Sequence, residues 1–259
     1  MRLDLALVQA KLVGTRTKAK AAIEGGNVFY QGTPALKPSQ DIQDLAALEI
    51  RGQLMPYVSR GGLKLEKALH TFNISLQNKI VLDIGSSTGG FTDCALQHGA
   101  QKVVAVDVGK DQMVPILRTN PSVIVYEQTD FRTISLDKID LCTVAVSDVS
   151  FISITKMLPK LNEMTHLTDL ICLIKPQFEC GKEIADKYHG VIKDPSVHIS
   201  VLNAILKTFQ ENGFFLKNIT FSPIQGGSGN IEYLTHFDKI GPTLSPNIEQ
   251  LVQDTFSNF

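Results

Sequence analysis

The sequence predicts an α/β protein: a mostly parallel sheet with helices on both faces, an antiparallel hairpin at one edge, and a small α+β unit in front. Three observations carry this. From Lys79 onward, short apolar runs alternate with helical patterns, as strand–helix–strand units require. The first of these runs, Val81-Leu82-Asp83-Ile84, ends on an acid and opens into Gly85-Ser86-Ser87-Thr88-Gly89-Gly90-Phe91-Thr92, a tight turn leading into a helix, which is a Rossmann-like arrangement. The last two runs, 214–221 and 231–237, are joined through Gly226-Gly227-Ser228-Gly229.

The 259 residues leave room for one large domain and one small one, and 43% hydrophobic content is ordinary for a chain that buries a core. A net charge of -1 excludes a polybasic nucleic-acid binder as a whole. Cys94, Cys142, Cys172 and Cys180 form no C-x-x-C pair and the six histidines show no H-x-x-x-H spacing, so neither a disulfide framework nor a metal site is expected. No apolar run has the length of a signal peptide or a membrane span, so the expectation is a cytoplasmic protein with no membrane partner and no obligate protein partner.

Along the amino-terminal stretch, Leu3, Leu7, Val8 and Leu12 recur at helical spacing over 2–12. Gly14 breaks that helix, and Thr15 can cap a second over 16–24 with Ala19, Ala22 and Ile23 facing inward. Gly25-Gly26 ends it. A strand over 27–31, a turn at Gly32-Thr33-Pro34, the apolar Leu36 and Ile42, and a strand over 47–50 complete a unit of about 55 residues, small for an independent core. Cations outnumber acids here: Arg2, Lys11, Arg16, Lys18, Lys20 and Lys37 stand against Asp4 and Glu24. That excess suits a phosphate-rich partner, although a solvated helix face shows the same pattern. Residues 51–57 read as a linker, so the expected domains are 1–57 and 58–259.

A helix follows Val58-Ser59-Arg60-Gly61-Gly62, with Leu63, Ala68 and Leu69 on its buried side and Lys64 inside that apolar stretch. Strands are expected at 80–84, 102–107, 123–126, 141–148 and 170–175, and helices at 89–98, 113–118, 154–164 and 196–212. The last has Val197, Val201, Leu202, Ile205 and Phe209 at core spacing. Residues 179–194, rich in charge and glycine, are expected to form a mobile loop that orders on RNA or cofactor binding.

In such sheets ligands lie beyond the carboxyl ends of the strands. The loop after the first strand is neither G-x-G-x-x-G, because Ser87 occupies the second glycine position, nor a P-loop. Gly85 permits a conformation or close approach that a β-carbon blocks, and Gly89 and Gly90 let a ligand lie against the main chain ahead of Phe91. Asp83 at the strand end suits a cationic ligand without phosphates, which S-adenosylmethionine is. Asp107, 24 residues on, is placed to accept from ribose hydroxyls, and Asp130 after the third strand to meet an adenine edge. Asp148, Lys175 and Glu232 also fall at strand ends.

Two resemblances sharpen these expectations. Arg2-Leu3-Asp4, Thr15-Arg16-Thr17-Lys18-Ala19, Ile23-Glu24-Gly25-Gly26-Asn27-Val28, Gly32 and Lys37-Pro38-Ser39 resemble the S-four-type RNA-binding domain. That resemblance implies that Arg16, Lys18 and Lys20 meet structured RNA. Arg2 and Arg60 are further candidates, Lys11 a weaker one, and Thr15 replaces the family's usual serine. Tyr57-Val58-Ser59-Arg60-Gly61-Gly62-Leu63-Lys64-Leu65, the loop from Asp83 to Thr92, Ser147-Asp148-Val149-Ser150-Phe151-Ile152-Ser153, Ile174-Lys175-Pro176-Gln177-Phe178-Glu179 and Gly229-Asn230-Ile231-Glu232-Tyr233 resemble the TlyA family, often labelled hemolysin A, over essentially the whole chain.

The TlyA resemblance implies an S-four-type domain joined to an FtsJ-like methyltransferase domain. It further implies S-adenosylmethionine as cofactor, ribosomal RNA or ribosomal subunits as partner, and transfer to ribose 2′-hydroxyls. The implied tetrad is Lys64, Asp148, Lys175 and Glu232, with Lys175 on the 2′-hydroxyl as base or alkoxide stabiliser. The family's asparagine is replaced by Asp130. Asp148-Val149-Ser150-Phe151 also stands where amine methyltransferases carry Asn/Asp-Pro-Pro-Tyr/Phe, which favours an oxygen acceptor. The competing readings are a non-catalytic RNA- or cofactor-binding assembly factor, a pore-forming hemolysin, and a small-molecule methyltransferase.

Overall fold

The computed structural model describes residues 1–52 and 54–259 apart from the Thr17 side chain. Gln53, within the expected linker, and that threonine side chain, within the S-four-type motif, lie outside the described residues. The chain divides into two compact units, Met1–Arg60 and Gly61–Phe259.

In the first unit, α1 (Leu3–Gln9) and α2 (Arg16–Glu24) pack with a three-stranded antiparallel sheet of β1 (Val28–Tyr30), β2 (Thr33–Pro34) and β3 (Leu48–Ile50), in the order β2-β1-β3. Thr15 Oγ1 accepts from Lys18 N at 3.2 Å and starts α2 by satisfying an amide with no partner inside the helix. Leu3, Leu7, Ala19, Ile23, Val28 and Ile42 form the core. The expected turn at Gly32-Thr33-Pro34 also supplies β2, which pairs with β1.

The second unit begins with α3 (Gly61–Phe72) and continues through β4 (Ile80–Ile84), α4 (Gly90–Gln97), β5 (Lys102–Val106), α5 (Pro115–Arg118), β6 (Val123–Tyr126), β7 (Val144–Ser147) and α6 (Leu158–Glu163). After these come β8 (Asp169–Ile174), α7 (Pro176–Glu179), α8 (Lys182–Lys187), α9 (Pro195–Glu211), β9 (Phe215–Phe221), β10 (Tyr233–Asp238) and α10 (Ile248–Asn258). The seven strands are ordered β6-β5-β4-β7-β8-β10-β9. The central strands are buried along nearly their whole length because helices cover both faces: all four residues of β7 are buried, as are Val81 to Ile84 of β4, with Asp83 and Ser147 the polar exceptions. β10 is the one reversed strand of the seven, antiparallel to both β8 and β9, and it lies between them rather than at the rim. Within the described residues, no helix is long and apolar enough to cross a membrane.

One expectation is corrected and one extended. Residues 179–194 are not an open loop: they contain α8, and the buried Asn230 pins the end of the segment, donating to Gly190 O at 2.9 Å and accepting from Ile192 N at 3.1 Å. On α9 the buried stripe also takes in His198, while Val197 packs half-buried against the same core. The ring is held by Tyr233 Oη at 2.9 Å and Ile192 O at 3.0 Å, and burial moves its pKa down, so it sits in the core as a neutral, hydrogen-bonded group.

Candidate active site

Strand direction gathers the site. Asp148 follows β7 and Lys175 follows β8, both at carboxyl ends. Because β10 is reversed, its amino-terminal end lies at the same edge: Tyr233 pairs with Ile174, so Glu232 and Lys175 leave the sheet side by side. Lys64 comes from the first turn of α3.

These four residues meet. Lys64 Nζ lies 2.7 Å from Glu232 Oε2 and 3.2 Å from Asp148 Oδ2. Lys175 Nζ forms an ion pair with Asp148 Oδ1 at 2.6 Å, off the line of a well-aligned hydrogen bond, and donates to Ser150 Oγ at 2.9 Å and Asp148 O at 3.4 Å. Lys64, Lys175 and Glu232 are buried and the Asp148 side chain is one-fifth exposed, so the chain of charges opens to solvent at Asp148. Burial disfavours the Lys64 ammonium, but Asp148 and Glu232 together outweigh it and raise its pKa. Lys64 is therefore a fixed cation. Gln177 Nε2 reaches Glu232 Oε1 at 3.4 Å.

Asp148 and Ser150 also line a cavity of about 560 Å³ at the ends of β4, β5 and β7. β4 lies between β5 and β7, the point where strand order reverses and such sheets bind ligands. Gly85, Ser87, Asp107 and Asp130 line the cavity, as do Gly109, Gln112, Phe131 and Phe151. Gly85 has φ +81, and a β-carbon there would press on Val149 at 3.2–3.4 Å. Asp107 accepts from Ser87 N and Gly109 N, both at 2.7 Å, and so fixes the two loops on either side of it. Asp130 is gripped by Arg132, which holds its carboxyl below the usual range.

Asp83 is fully buried one residue before the cavity-lining Ile84. Its Oδ2 accepts from Thr92 Oγ1 at 2.6 Å, while Oδ1 has no hydrogen-bond partner. Burial pushes this carboxyl up to about 7, against the hydrogen bond from Thr92. A buried acceptor of this kind beside a cavity fits an incoming ammonium group. Gly89, Gly90 and Phe91 do not line the cavity. Gly89 has φ +95, a left-handed conformation that favours glycine at the start of α4, and the Leu117 side chain lies where a β-carbon would be. Gly90 opens α4, and Phe91 is buried.

In the amino-terminal unit, Arg2 Nε and Arg16 Nε donate to the two oxygens of the buried Asp4, at 3.0 and 2.7 Å. The hydrogen bond from Arg2 is the main reason that the Asp4 carboxyl lies well below its ordinary range. Asp4 thus orients two half-exposed guanidinium groups. Lys18, Lys20 and Arg60 are exposed.

Sequence reasoning missed Ser150, Gln177, Asp4 and Glu127. Glu127 accepts from three successive amides, of Asp111, Gln112 and Met113, and from Arg118 Nη2 at 2.6 Å, which moves its pKa down to about 2 and shapes the loop beside the cavity. An acid at the end of β6 was its only signal.

Known proteins similar to this chain identify its family. The FtsJ-like methyltransferase family matches residues 57–239, and the S4 domain matches residues 1–44. Hemolysin A of Brachyspira hyodysenteriae is 44% identical over 92% of this chain and 99% of its own. The 16S/23S rRNA (cytidine-2′-O)-methyltransferase TlyA of Mycobacterium tuberculosis is 38% identical over 90% of this chain and 87% of its own. A solved structure of a Streptococcus thermophilus protein named as a hemolysin superposes with a TM-score of 0.76 at 39% identity, covering 99% of this chain and 96% of that one. The chain belongs to the FtsJ-like methyltransferase family and carries an amino-terminal RNA-binding domain of the S-four type.

Proposed function

We propose that this protein transfers a methyl group from S-adenosylmethionine to a ribose 2′-hydroxyl of ribosomal RNA. The observation that carries the reading is the run Glu232–Lys64–Asp148–Lys175, an alternation of acid and base that ends at the edge of the cavity. The relative from Mycobacterium tuberculosis is named for this reaction on cytidine, which supports the choice of acceptor.

Bound S-adenosylmethionine supplies an electrophilic methyl group on a sulfonium centre. The residues present fit it: Asp83 would offer a buried acceptor for its ammonium, Asp107 at the end of β5 a carboxylate for ribose hydroxyls, Asp130 an acceptor for the adenine amino group, and Gly85 a backbone without a side chain in the way. The target hydroxyl is a poor nucleophile at neutral pH, so its developing negative charge needs a placed cation. Lys175 supplies it. Its Nζ already acts as a donor to Ser150 Oγ and Asp148 O, which suits stabilising an alkoxide, and the hydroxyl proton leaves to water at the solvent-open edge of Asp148. Asp148 aims Lys175, Lys64 anchors the far oxygen of Asp148, and Glu232 holds Lys64. Holding the acceptor oxygen in line removes much of the entropic barrier.

Phe151 supports an RNA acceptor. It lines the cavity, is 91% exposed, and holds φ +65, a left-handed conformation that costs a bulky residue about 1–3 kcal/mol. Its ring lies 5.1 Å from that of Phe178, beside Lys175. Such a surface can stack a base whose ribose faces Lys175. In the amino-terminal unit, Arg2, Arg16, Lys18 and Lys20, with Arg60 nearby in sequence, provide phosphate contacts. The test is methyl transfer from labelled S-adenosylmethionine to ribosomal subunits and to naked ribosomal RNA, followed by mapping of ribose methylation. Ribose-methylated RNA is expected. Cofactor binding without transfer to either substrate would count against the reading.

A further inference from the structure

Away from the cavity, α3 and α4 bring together three metal-binding side chains. Glu66 and His70 lie one helical turn apart on α3, and His98 is the C-terminal cap of α4. One donor atom from each lies within 4.8 Å of the other two. The His70 and His98 rings meet edge-on with centroids 5.9 Å apart. Donors about 2.0–2.1 Å from a tetrahedral zinc ion stand roughly 3.3 Å from one another, so these separations need to shorten by no more than about 1.5 Å. His70 is exposed and Glu66 half-buried, so changes of rotamer in these two can supply that movement while His98 stays in place.

A second observation concerns the His98 tautomer. Its Nδ1 lies 2.9 Å from the Cys94 carbonyl oxygen. A carbonyl only accepts, so Nδ1 carries the proton and the lone pair of the neutral ring is on Nε2. A backbone carbonyl on the far nitrogen is the support that metal-binding imidazoles usually have, because it fixes both tautomer and ring orientation.

We propose that Glu66, His70 and His98 form a zinc site that ties α3 to α4, with water as the fourth ligand. Two imidazoles and one carboxylate suit zinc better than calcium or magnesium, which prefer oxygen donors throughout. Among the described residues the donors come from two different helices, so the bound ion acts as a crosslink. One of those helices carries Lys64 in its first turn, and the other starts at the loop after β4. The crosslink holds the two elements together and takes no part in the transfer itself. Histidine spacing in the sequence gave no sign of it, because one ligand is a glutamate and the third lies on the next helix.

The test uses the full chain freed of any purification tag, with zinc ion alone as the probe. Equilibrium titration against a chelator is expected to give one ion per chain. His70→Gln, His98→Gln and Glu66→Gln should each weaken binding by at least about tenfold. His166→Gln, at an exposed histidine elsewhere, should bind as the unmodified protein does. Zinc should raise the melting temperature of the unmodified protein and leave that of His70→Gln unchanged. The metal-free melting temperature of His70→Gln should match that of the unmodified protein, since the side chain is exposed. Less than one ion per chain, or binding by His70→Gln as tight as the unmodified protein's, would overturn the proposal. Neither readout depends on methyl transfer.

Discussion

Lys64 and Glu232, 168 positions apart in sequence, share a buried ion pair at 2.7 Å, and Lys64 also contacts Asp148. Removing one partner of a buried pair leaves the other charge uncompensated and costs about 3–5 kcal/mol. Lys64→Met should therefore lower both the unfolding free energy and activity. Adding Glu232→Leu to Lys64→Met should recover much of the stability and none of the activity. Denaturant unfolding and methyl-transfer rates on the same set of variants separate the two effects. Equal recovery of both would show that Lys64 has only a structural role.

Asp83 makes the stability of the cofactor-free protein depend on pH. Its folded-state pKa stands near 7, against 3.8 for the ordinary group. The folded state then binds more protons than the unfolded state between those values, so stability falls as pH rises from about 4 to 7, by up to about 1.4 kcal/mol per pKa unit. Asp83→Asn should flatten that fall and weaken S-adenosylmethionine binding. A melting-temperature series across pH, with and without cofactor, reads both. An unchanged pH slope in Asp83→Asn would remove the assignment.

Gly226 has an ordinary negative φ, so its glycine is required by space rather than by backbone conformation: a β-carbon would collide with the Glu232 carboxylate. Gly226→Ala should displace Glu232 and reduce the turnover number while leaving cofactor affinity near that of the unmodified protein. Titration of cofactor beside steady-state kinetics checks this split.

Phe151 predicts the opposite balance of stability and activity. Phe151→Gly relieves the left-handed strain, so stability should hold or rise. Loss of one base-stacking surface costs about 1–3 kcal/mol, so RNA methylation should fall by roughly 5- to 150-fold. Unaltered methylation would mean that the exposed ring does not meet the substrate.

The amino-terminal cations should appear in the salt dependence. Lys18→Ala and Lys20→Ala should each weaken RNA binding and reduce the slope of log affinity against log salt by roughly 0.7–0.9. Arg16→Ala should do more, because it also takes a partner from the buried Asp4.

The fold was legible where burial on both faces made strands continuous apolar runs. β4 and β6 lie at the expected residues, and β7 is the trimmed centre of its run. What escaped notice was held together by distant contacts. α10 carries Ile248, Leu251, Val252 and Phe256 at helical spacing against the core, but the helix covers the sheet from a segment beyond the last strand, where strand–helix alternation gave no reason to expect one. In the sequence Asp4 stands as a charge set against the local cations, and its burial under Arg2 and Arg16 depends on a contact across 12 residues. In the site, Lys64 stood out as an ammonium in an apolar stretch. Ser150 and Gln177 did not, because a hydroxyl paired across 25 residues and an amide paired across 55 leave no local pattern. Gly89 shows the converse: the glycine-rich loop suggested approach of a ligand, and its glycine also answers to a left-handed φ at the start of α4.

The most direct test of the central claim is single-turnover methyl transfer to ribosomal RNA by Lys175→Ala beside the unmodified protein, with cofactor and RNA binding measured in parallel. The account predicts near-normal binding of both and a transfer rate lower by about 10²–10⁴-fold. Transfer at the unmodified rate, with ribose methylation at the same nucleotide, would contradict it.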